Sequence, residues 1–156
     1  MSRHSFKEGS AHDDRSSRAL TVAAIFAGAA IYVNVAEQPA RLFLDDHALL
    51  IEWKPSYKRG AAMQASLALV GCLLGSIAWW RTSQAGFLVG AIAMIAPWPW
   101  TLLGIKPIND ALLATEPGKA GPPTRALVIK WGALHAVRTA LGALATVAFL
   151  WACLSR

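Results

Sequence analysis

The sequence has few cysteines and lacks several motifs that define enzyme classes. Cys72 and Cys153 each lie in an apolar run, and neither belongs to a Cys-x-x-Cys pair, so we interpret both as packing residues. There is also no glycine-rich phosphate loop and no Gly-x-Ser-x-Gly elbow. These absences argue against a cysteine-held metal, a P-loop nucleotide site and the nucleophile of an α/β-hydrolase.

Charge is also scarce. Charged residues make up 15% of the 156 residues, apolar residues make up 55%, and the mean hydropathy is +0.41. A soluble domain carries about 25% charged residues, so the composition predicts a small protein with several membrane crossings. The net charge is +6, but the basic residues stand at the ends of apolar runs. That pattern is typical of anchoring at lipid headgroups and argues against nucleic-acid binding.

Four apolar runs approach or exceed the length of about 20 residues that a helix needs to cross a bilayer. They cover residues 19–35, 61–80, 85–105 and 132–154 and follow a polar N-terminal tail at residues 1–18. The link at residues 81–84 is so short that the second and third helices must be antiparallel. The sequence therefore predicts an all-α integral membrane protein, an antiparallel four-helix bundle within residues 19–156.

Four crossings place both chain ends on one side of the membrane and the loops at 36–60 and 106–131 on the other. Basic residues occur on both sides, so the positive-inside rule gives little guidance, and we expect the termini in the cytoplasm. Small residues allow the helices to approach closely, and Gly71-x-x-x-Gly75 and Gly86-x-x-x-Gly90 could also support a homo-oligomer.

The segment between the first two runs, residues 39–53, has its own pattern. Its apolar residues recur at helical spacing, with acidic and basic residues between them. This pattern predicts a short interfacial helix or a lid.

The last run contains ionisable residues that are costly in a membrane. Trp131, His135 and Arg138 are spaced to share one helix face, and an arginine at mid-bilayer costs at least about 2.5–3.5 kcal/mol. Glu37 ends the first run on the same side and is the predicted counter-ion of Arg138. Two interpretations stay open: a structural Glu37–Arg138 clamp, or a catalytic group in which His135 acts as a base or proton relay.

Further polar and aromatic residues gather at the loop end of the predicted bundle. The candidates for contact with a substrate are Asn34, Trp53, Tyr57, Asn109 and Trp131. The two asparagines could instead cap helix ends. Two prolines in the third run, Pro97 and Pro99, remove backbone donors, which predicts a kink with a pocket nearby. Asp46-His47 has no third ligand at a recognisable spacing, so no metal site is expected.

Four motifs together resemble a known family of membrane proteins. They are Asn34-Val-Ala-Glu37-x-Pro39-Ala-Arg41, Trp53-Lys-Pro-Ser-Tyr57-Lys-Arg59-Gly60, Pro107-Ile-Asn109 and Trp131-x-x-x-His135-x-x-Arg138. The chain is similar in these motifs to the small four-helix family of unknown function that includes the fungal anthrone oxygenases. The resemblance extends over nearly the whole chain after the N-terminal tail.

The resemblance implies an oxygenase or oxidoreductase that acts on a hydrophobic phenolic or quinoid molecule, with dioxygen as co-substrate and no bound cofactor. In such an enzyme His135 would be the base, and Arg138 and Asn109 would stabilise an oxyanion. Two alternatives stay open: a non-enzymatic module that binds a quinone or lipid, and an accessory subunit whose Glu37 and Arg138 only stabilise the fold. The expected partners are a hydrophobic small molecule and the lipid bilayer.

Overall fold

The computed structural model describes the backbone of residues 3–155 and the side chains of residues 16–155. The polar tail predicted at residues 1–18 lies mostly outside the described side chains. The α-helices are α1 (Arg3–Tyr32), α2 (Gln38–Arg41), α3 (Asp46–Thr82), α4 (Ala85–Ile95), α5 (Pro97–Trp100), α6 (Lys106–Ala114) and α7 (Pro122–Leu154). Two π-helical turns, Val33–Glu37 and Thr101–Ile105, join α1 to α2 and α5 to α6, and a 3-10 turn covers Pro117–Lys119.

These elements form four helical spans that are long and apolar enough to cross a membrane. Span 1 is Ser16–Arg41, span 2 is Asp46–Thr82, span 3 is Ala85–Ala114 and span 4 is Pro122–Leu154. The protein is therefore an integral membrane four-helix bundle, as the sequence predicts. Each span extends beyond its predicted apolar run at the loop end, because an apolar run stops at the first charged residue whereas a helix continues through it.

The spans pack in a ring. Span 1 contacts spans 2 and 4 along its length, and span 3 contacts the same two neighbours. Spans 2 and 4 face each other across a diagonal. A left-handed residue, Ser83 at φ 57°, ends α3 and makes the tight turn into span 3. This arrangement directs side chains from all four spans toward one shared interior.

The interfacial helix or lid predicted between spans 1 and 2 does not form a separate element. Gln38–Arg41 lengthens span 1, and span 2 already begins at Asp46. Asp45 caps that helix, since its carboxylate accepts the backbone N–H of Ala48 at 2.9 Å, and this bond holds the pKa of Asp45 below its ordinary value. Pro55 lies inside α3 without ending it. Of the apolar residues in the predicted lid, Leu49, Leu50 and Trp53 belong to the first turns of span 2, and Leu42 and Phe43 lie in the turn before it.

Two buried clusters stabilise the bundle, one toward each end. The cluster at the terminal end contains Phe26, Phe87, Met94 and Phe149 among many alanines. The cluster at the loop end is built from larger side chains, including Leu49, Leu50, Trp53, Ile108, Leu112 and Trp131. Between the two clusters, the interior carries buried polar side chains, among them Gln64, His135 and Arg138.

Close helix approach in the terminal half depends on glycine. A Cβ atom at Gly90 would lie 2.2 Å from a ring carbon of Phe149, and one at Gly75 would lie 2.6 Å from the same ring. Gly71 is closed off in the same way by Met94. These glycine faces are thus used within one chain. The homo-oligomer stays a prediction.

We expect Gly90→Ala to destabilise the bundle by about 1–3 kcal/mol, the usual cost of overpacking a filled core. The matched control is Gly28→Ala, because nothing lies within 4 Å of a Cβ at Gly28, and alanine is the better helix former by about 1 kcal/mol. Thermal unfolding in detergent measures both. An unfolding temperature for Gly90→Ala equal to or above that of Gly28→Ala would contradict this packing.

Candidate functional site

A cavity of about 140 Å³ lies between the two buried clusters. Most of its wall is apolar, and it is enclosed by spans 2, 3 and 4. Its lining consists of Tyr57, Ala61, Ala65, Trp98, Thr101, Leu102, Ile105, Asn109, Trp131, His135 and Arg138. Four of the predicted substrate or catalytic residues of spans 3 and 4 thus meet at one cavity, together with Tyr57 of span 2.

Irregular backbone in span 3 forms one wall of this cavity. Pro97 and Pro99 cannot donate to the carbonyls one turn before them, and the chain continues as the π-helical turn Thr101–Ile105. The Thr101 hydroxyl donates to the carbonyl of Pro97 at 2.6 Å. Such turns within α-helices are frequent at functional sites. The pocket predicted beside the two prolines is confirmed.

A hydrogen bond with Asn34 fixes the orientation of the His135 ring. The His135 Nδ1 atom lies 2.8 Å from Asn34 Oδ1, which also accepts the Thr139 hydroxyl at 2.8 Å. The Asn34 Nδ2 atom donates to the carbonyl of Gly132 at 2.9 Å. Because the amide nitrogen is committed to Gly132, its oxygen must face the imidazole, so Nδ1 carries the proton of the neutral ring. The lone pair of His135 then lies on Nε2.

Asn34 was predicted to contact a substrate, but it is not among the residues that line the cavity. Its position depends on the π-helical turn Val33–Glu37 and on Gly132. A Cβ atom at Gly132 would lie 2.7 Å from Nε2 of Gln38, which donates to the carbonyl of Val128. Span 1 is therefore tied to span 4 by two side-chain amides, and Asn34 orients His135.

The ion pair predicted between Glu37 and Arg138 is not formed. The Glu37 carboxylate accepts hydrogen bonds from Arg41 and from the Ser56 hydroxyl, and Arg41 also pairs with Glu52 at 2.8 Å. Arg41 lies one turn beyond Glu37 on the same span, which makes it the nearer cation. Among the described side chains, no carboxylate is within ion-pair distance of Arg138.

Arg138 is nevertheless buried, with 8% of its surface exposed. Its Nε atom has no hydrogen-bond partner among the described residues. Asn109 is 2% exposed, and its Oδ1 atom also has no partner there. A buried polar group without a partner is costly, so both side chains are available to a bound molecule.

Aromatic side chains form the flat walls of the cavity. Tyr57 and Trp131 line it, and the Trp131 ring lies 5.0 Å from the ring of His135. Trp53, also predicted to contact a substrate, is fully buried behind them and does not line the cavity. It stacks on Tyr57 at 4.8 Å and meets Trp131 edge-on at 5.7 Å. Trp53 therefore supports the wall.

Sequence reasoning missed several residues that complete the site. Thr139 lies one turn beyond His135, and Gln64 is an isolated polar residue in an apolar run. The sequence therefore offered a reason to examine each of them as a site residue. Ala61 and Ala65 follow Tyr57 at successive turns and leave space for the cavity. In the sequence, only their helical spacing from Tyr57 indicates that they share its face. Arg41 belongs to one of the four motifs, but the sequence analysis does not predict its ion pair with Glu37.

Among residues 16–155, no three side chains of His, Cys, Asp or Glu are grouped closely enough to hold a metal ion. Asp46 pairs with Arg125 of span 4, and His47 is exposed at the loop end.

The chain matches the family model described as anthrone oxygenase over residues 53–148. It is also 31% identical over 99 residues to anthrone oxygenase tpcL of Aspergillus fumigatus, in an alignment that covers 58% of this chain and 62% of that protein. The chain thus spans less than two thirds of the length of this curated relative. No solved structure matches. The matched range includes His135, Arg138 and Asn109, whereas Asn34 and Glu37 lie outside it.

We expect the His135 ring to carry its proton on Nδ1 in the protein and to lose this preference in Asn34→Ala, because the acceptor that selects the tautomer is removed. Imidazole ¹⁵N shifts measure the tautomer in detergent micelles, with the His135 signals assigned by their loss in His135→Gln. Asn109→Ala is the matched control, since Asn109 makes no hydrogen bond to the ring. A proton on Nε2 in the unaltered protein would contradict the geometry.

Proposed function

Because this chain belongs to the anthrone oxygenase family, we propose that it is a membrane oxygenase that converts the methylene group of an anthrone to a ketone with dioxygen. The observation that supports this most is the position of His135. Its Nδ1 atom is bound by Asn34, its Nε2 atom is left as a base, and the ring lines an apolar cavity with Arg138 and Asn109.

The first step is removal of a proton. The methylene of an anthrone lies between two aromatic rings and opposite a carbonyl, so loss of a proton gives an anion with its charge largely on that oxygen. His135 Nε2 accepts the proton, and the Arg138 guanidinium, one turn further along α7, stabilises the oxyanion. The Asn109 amide offers a donor and an acceptor to the oxygen substituents of the molecule.

The second step consumes dioxygen. The electron-rich anion reduces dioxygen, and a C–O bond forms to give a peroxide, which takes back the proton from His135. Removal of the second methylene proton by His135 then breaks the O–O bond, leaving the ketone and hydroxide, which accepts the proton and becomes water. One methylene and one dioxygen thus give one carbonyl and one water, so the substrate supplies all the electrons and dioxygen is the co-substrate.

The cavity wall suits a flat apolar substrate. Tyr57 and Trp131 provide aromatic surfaces against which a planar ring system packs. Trp98 and Leu102 also line the cavity and are 38% and 56% exposed, at a face of span 3 that a bilayer would cover. The proposed route of entry is therefore lateral, from the lipid phase, with Trp98 and Leu102 at the opening. The same apolar surroundings dissolve dioxygen.

We expect His135→Gln to lower catalysed oxygen uptake with an anthrone by about 10²-fold or more, the usual contribution of a positioned general base. The amide of glutamine keeps a polar group at the site, so the folded yield should be retained. The matched control is His47→Gln, the same change at an exposed histidine, which should leave uptake unchanged.

The measurement uses purified protein, an oxygen electrode and a panel of anthrones and hydroquinones. Uptake by His135→Gln at the level of the His47→Gln control would exclude His135 as the base. If the unaltered protein consumed no oxygen with any member of the panel, the oxygenase proposal itself would fail.

A further inference from the structure

A second, smaller space adjoins the apolar cavity at His135 and Arg138. This polar chamber, as we call it, has a volume of about 40 Å³, and its lining includes Glu37, Arg41, Ser56, Gln64, His135 and Arg138. It shares Tyr57, Ala61, Trp131, His135 and Arg138 with the apolar cavity. His135 and Arg138 therefore border two spaces, the apolar cavity and a smaller one whose lining adds the polar side chains of Glu37, Arg41, Ser56 and Gln64.

We propose that the polar chamber holds water and connects His135 to the aqueous interface, with Glu37 passing protons between the chamber and the outside. The inference about hydration rests on the geometry of the chamber alone. The inference about proton transfer rests in addition on the function proposed above.

The chamber has the size and polarity that buried water requires. One water needs about 10–15 Å³ of such volume and two to four polar partners, so there is room for about three. Apart from Arg41 Nε, which lies 2.8 Å from a carboxylate oxygen of Glu52, two buried atoms at the chamber have no hydrogen-bond partner among the described residues, namely Gln64 Oε1 and Arg138 Nε. Gln64 is 2% exposed. Water in the chamber would satisfy both atoms.

The chamber continues into an open groove between spans 1 and 2. The groove has a volume of about 530 Å³, and it shares Val33, Glu37, Ser56, Gly60 and Gln64 with the chamber. Gly60 leaves the junction open, because nothing lies within 4 Å of a Cβ at that position. The path from His135 to the groove thus runs past the Glu37 carboxylate.

Glu37 supplies a carboxylate on this path that can carry a proton. Glu37 and Glu52 share a single guanidinium, that of Arg41, so the group carries one negative charge in excess. The side chain of Glu37 is 22% exposed. The other charged or titratable groups that border the chamber or the groove are Tyr32, Tyr57, Arg59, His135 and Arg138.

The proposed reaction needs such a route. It forms one water per turnover beside His135, and this water has to leave a cavity whose wall is mostly apolar. The polar chamber receives it directly. The same waters let the proton held by His135 exchange with solvent during each turnover, whereas the substrate and dioxygen enter from the lipid side.

Water-edited NMR of the unaltered protein in lipid nanodiscs, labelled with ¹³C at alanine methyl groups, tests the hydration. Ala61 borders both spaces and Ala65 borders only the apolar cavity, so the pair is internally matched. We expect magnetisation to pass from water to the Ala61 methyl at least threefold faster than to the Ala65 methyl. Ala61→Ser and Ala65→Ser assign the two signals.

The route through the groove is tested by Gly60→Leu, which fills the junction. We expect transfer to Ala61 to fall to the rate at Ala65, while Gly60→Ala keeps a faster rate. Equal rates at Ala61 and Ala65 in the unaltered protein would overturn the hydrated chamber. A rate at Ala61 that Gly60→Leu leaves unchanged would overturn the path through the groove.

Proton transfer is tested without oxygen, using an anthrone deuterated at its methylene. Catalysed loss of deuterium to solvent should fall at least tenfold in Glu37→Gln, while the Ala61 water signal is retained and Glu116→Gln, a change at an exposed glutamate, has no effect. Unchanged loss in Glu37→Gln would overturn the role of Glu37. If the unaltered protein catalysed neither deuterium loss nor oxygen uptake, the proposed function would fail, and a strong Ala61 signal would still support the chamber.

Discussion

The site depends on one side-chain amide that joins the first span to the last. Asn34 donates to the backbone of Gly132 and accepts from Thr139 and His135, so all of its hydrogen-bonding directions but one are used. This fixes the distance between two helices, the plane of an imidazole and the identity of its protonated nitrogen at the same time. Gly132 is part of the same arrangement, because a larger residue there would displace Gln38. A helix pair held this closely leaves little freedom for the imidazole.

Two buried arginines, Arg41 and Arg138, differ in their partners. Arg41 is satisfied by two carboxylates, whereas Arg138, at the same end of the bundle, has no carboxylate partner among the described side chains and borders both the cavity and the chamber. An unpaired guanidinium in a bundle interior is expensive, and water or an anionic oxygen of a bound molecule would offset that cost. The ion-pair group of Arg41 with Glu37 and Glu52 holds spans 1 and 2 together, and under the proposed function Arg138 is left to contact the substrate.

Much of the fold could be predicted from the sequence. Apolar runs, a four-residue link and helix periodicity indicated four antiparallel spans, and Pro97 and Pro99 indicated a pocket near the end of the third. The prediction of a separate lid is wrong, because Asp45 caps a long helix that begins at Asp46 and continues through Pro55. The predicted ion pair between Glu37 and Arg138 is wrong, because Arg41, one turn away on the same span, is the nearer cation. Trp53 and Asn34 lie near the cavity without lining it: Trp53 supports its wall, and Asn34 orients His135.

By itself the sequence determined which polar residues are costly to place in a membrane and which of them share a helix face. Transfer costs and helix periods are properties of the chain alone. His135 and Arg138 were found in this way, and Asn109 by its place after Pro107 at the end of the third run. Only the tertiary structure decided which partner each one has, because partners come from other spans at distances that depend on where glycine permits close approach and where π-helical turns rotate a side chain. The protonated nitrogen of His135, the lack of a carboxylate partner for Arg138 among the described side chains and the space between His135 and Glu37 all depend on those contacts.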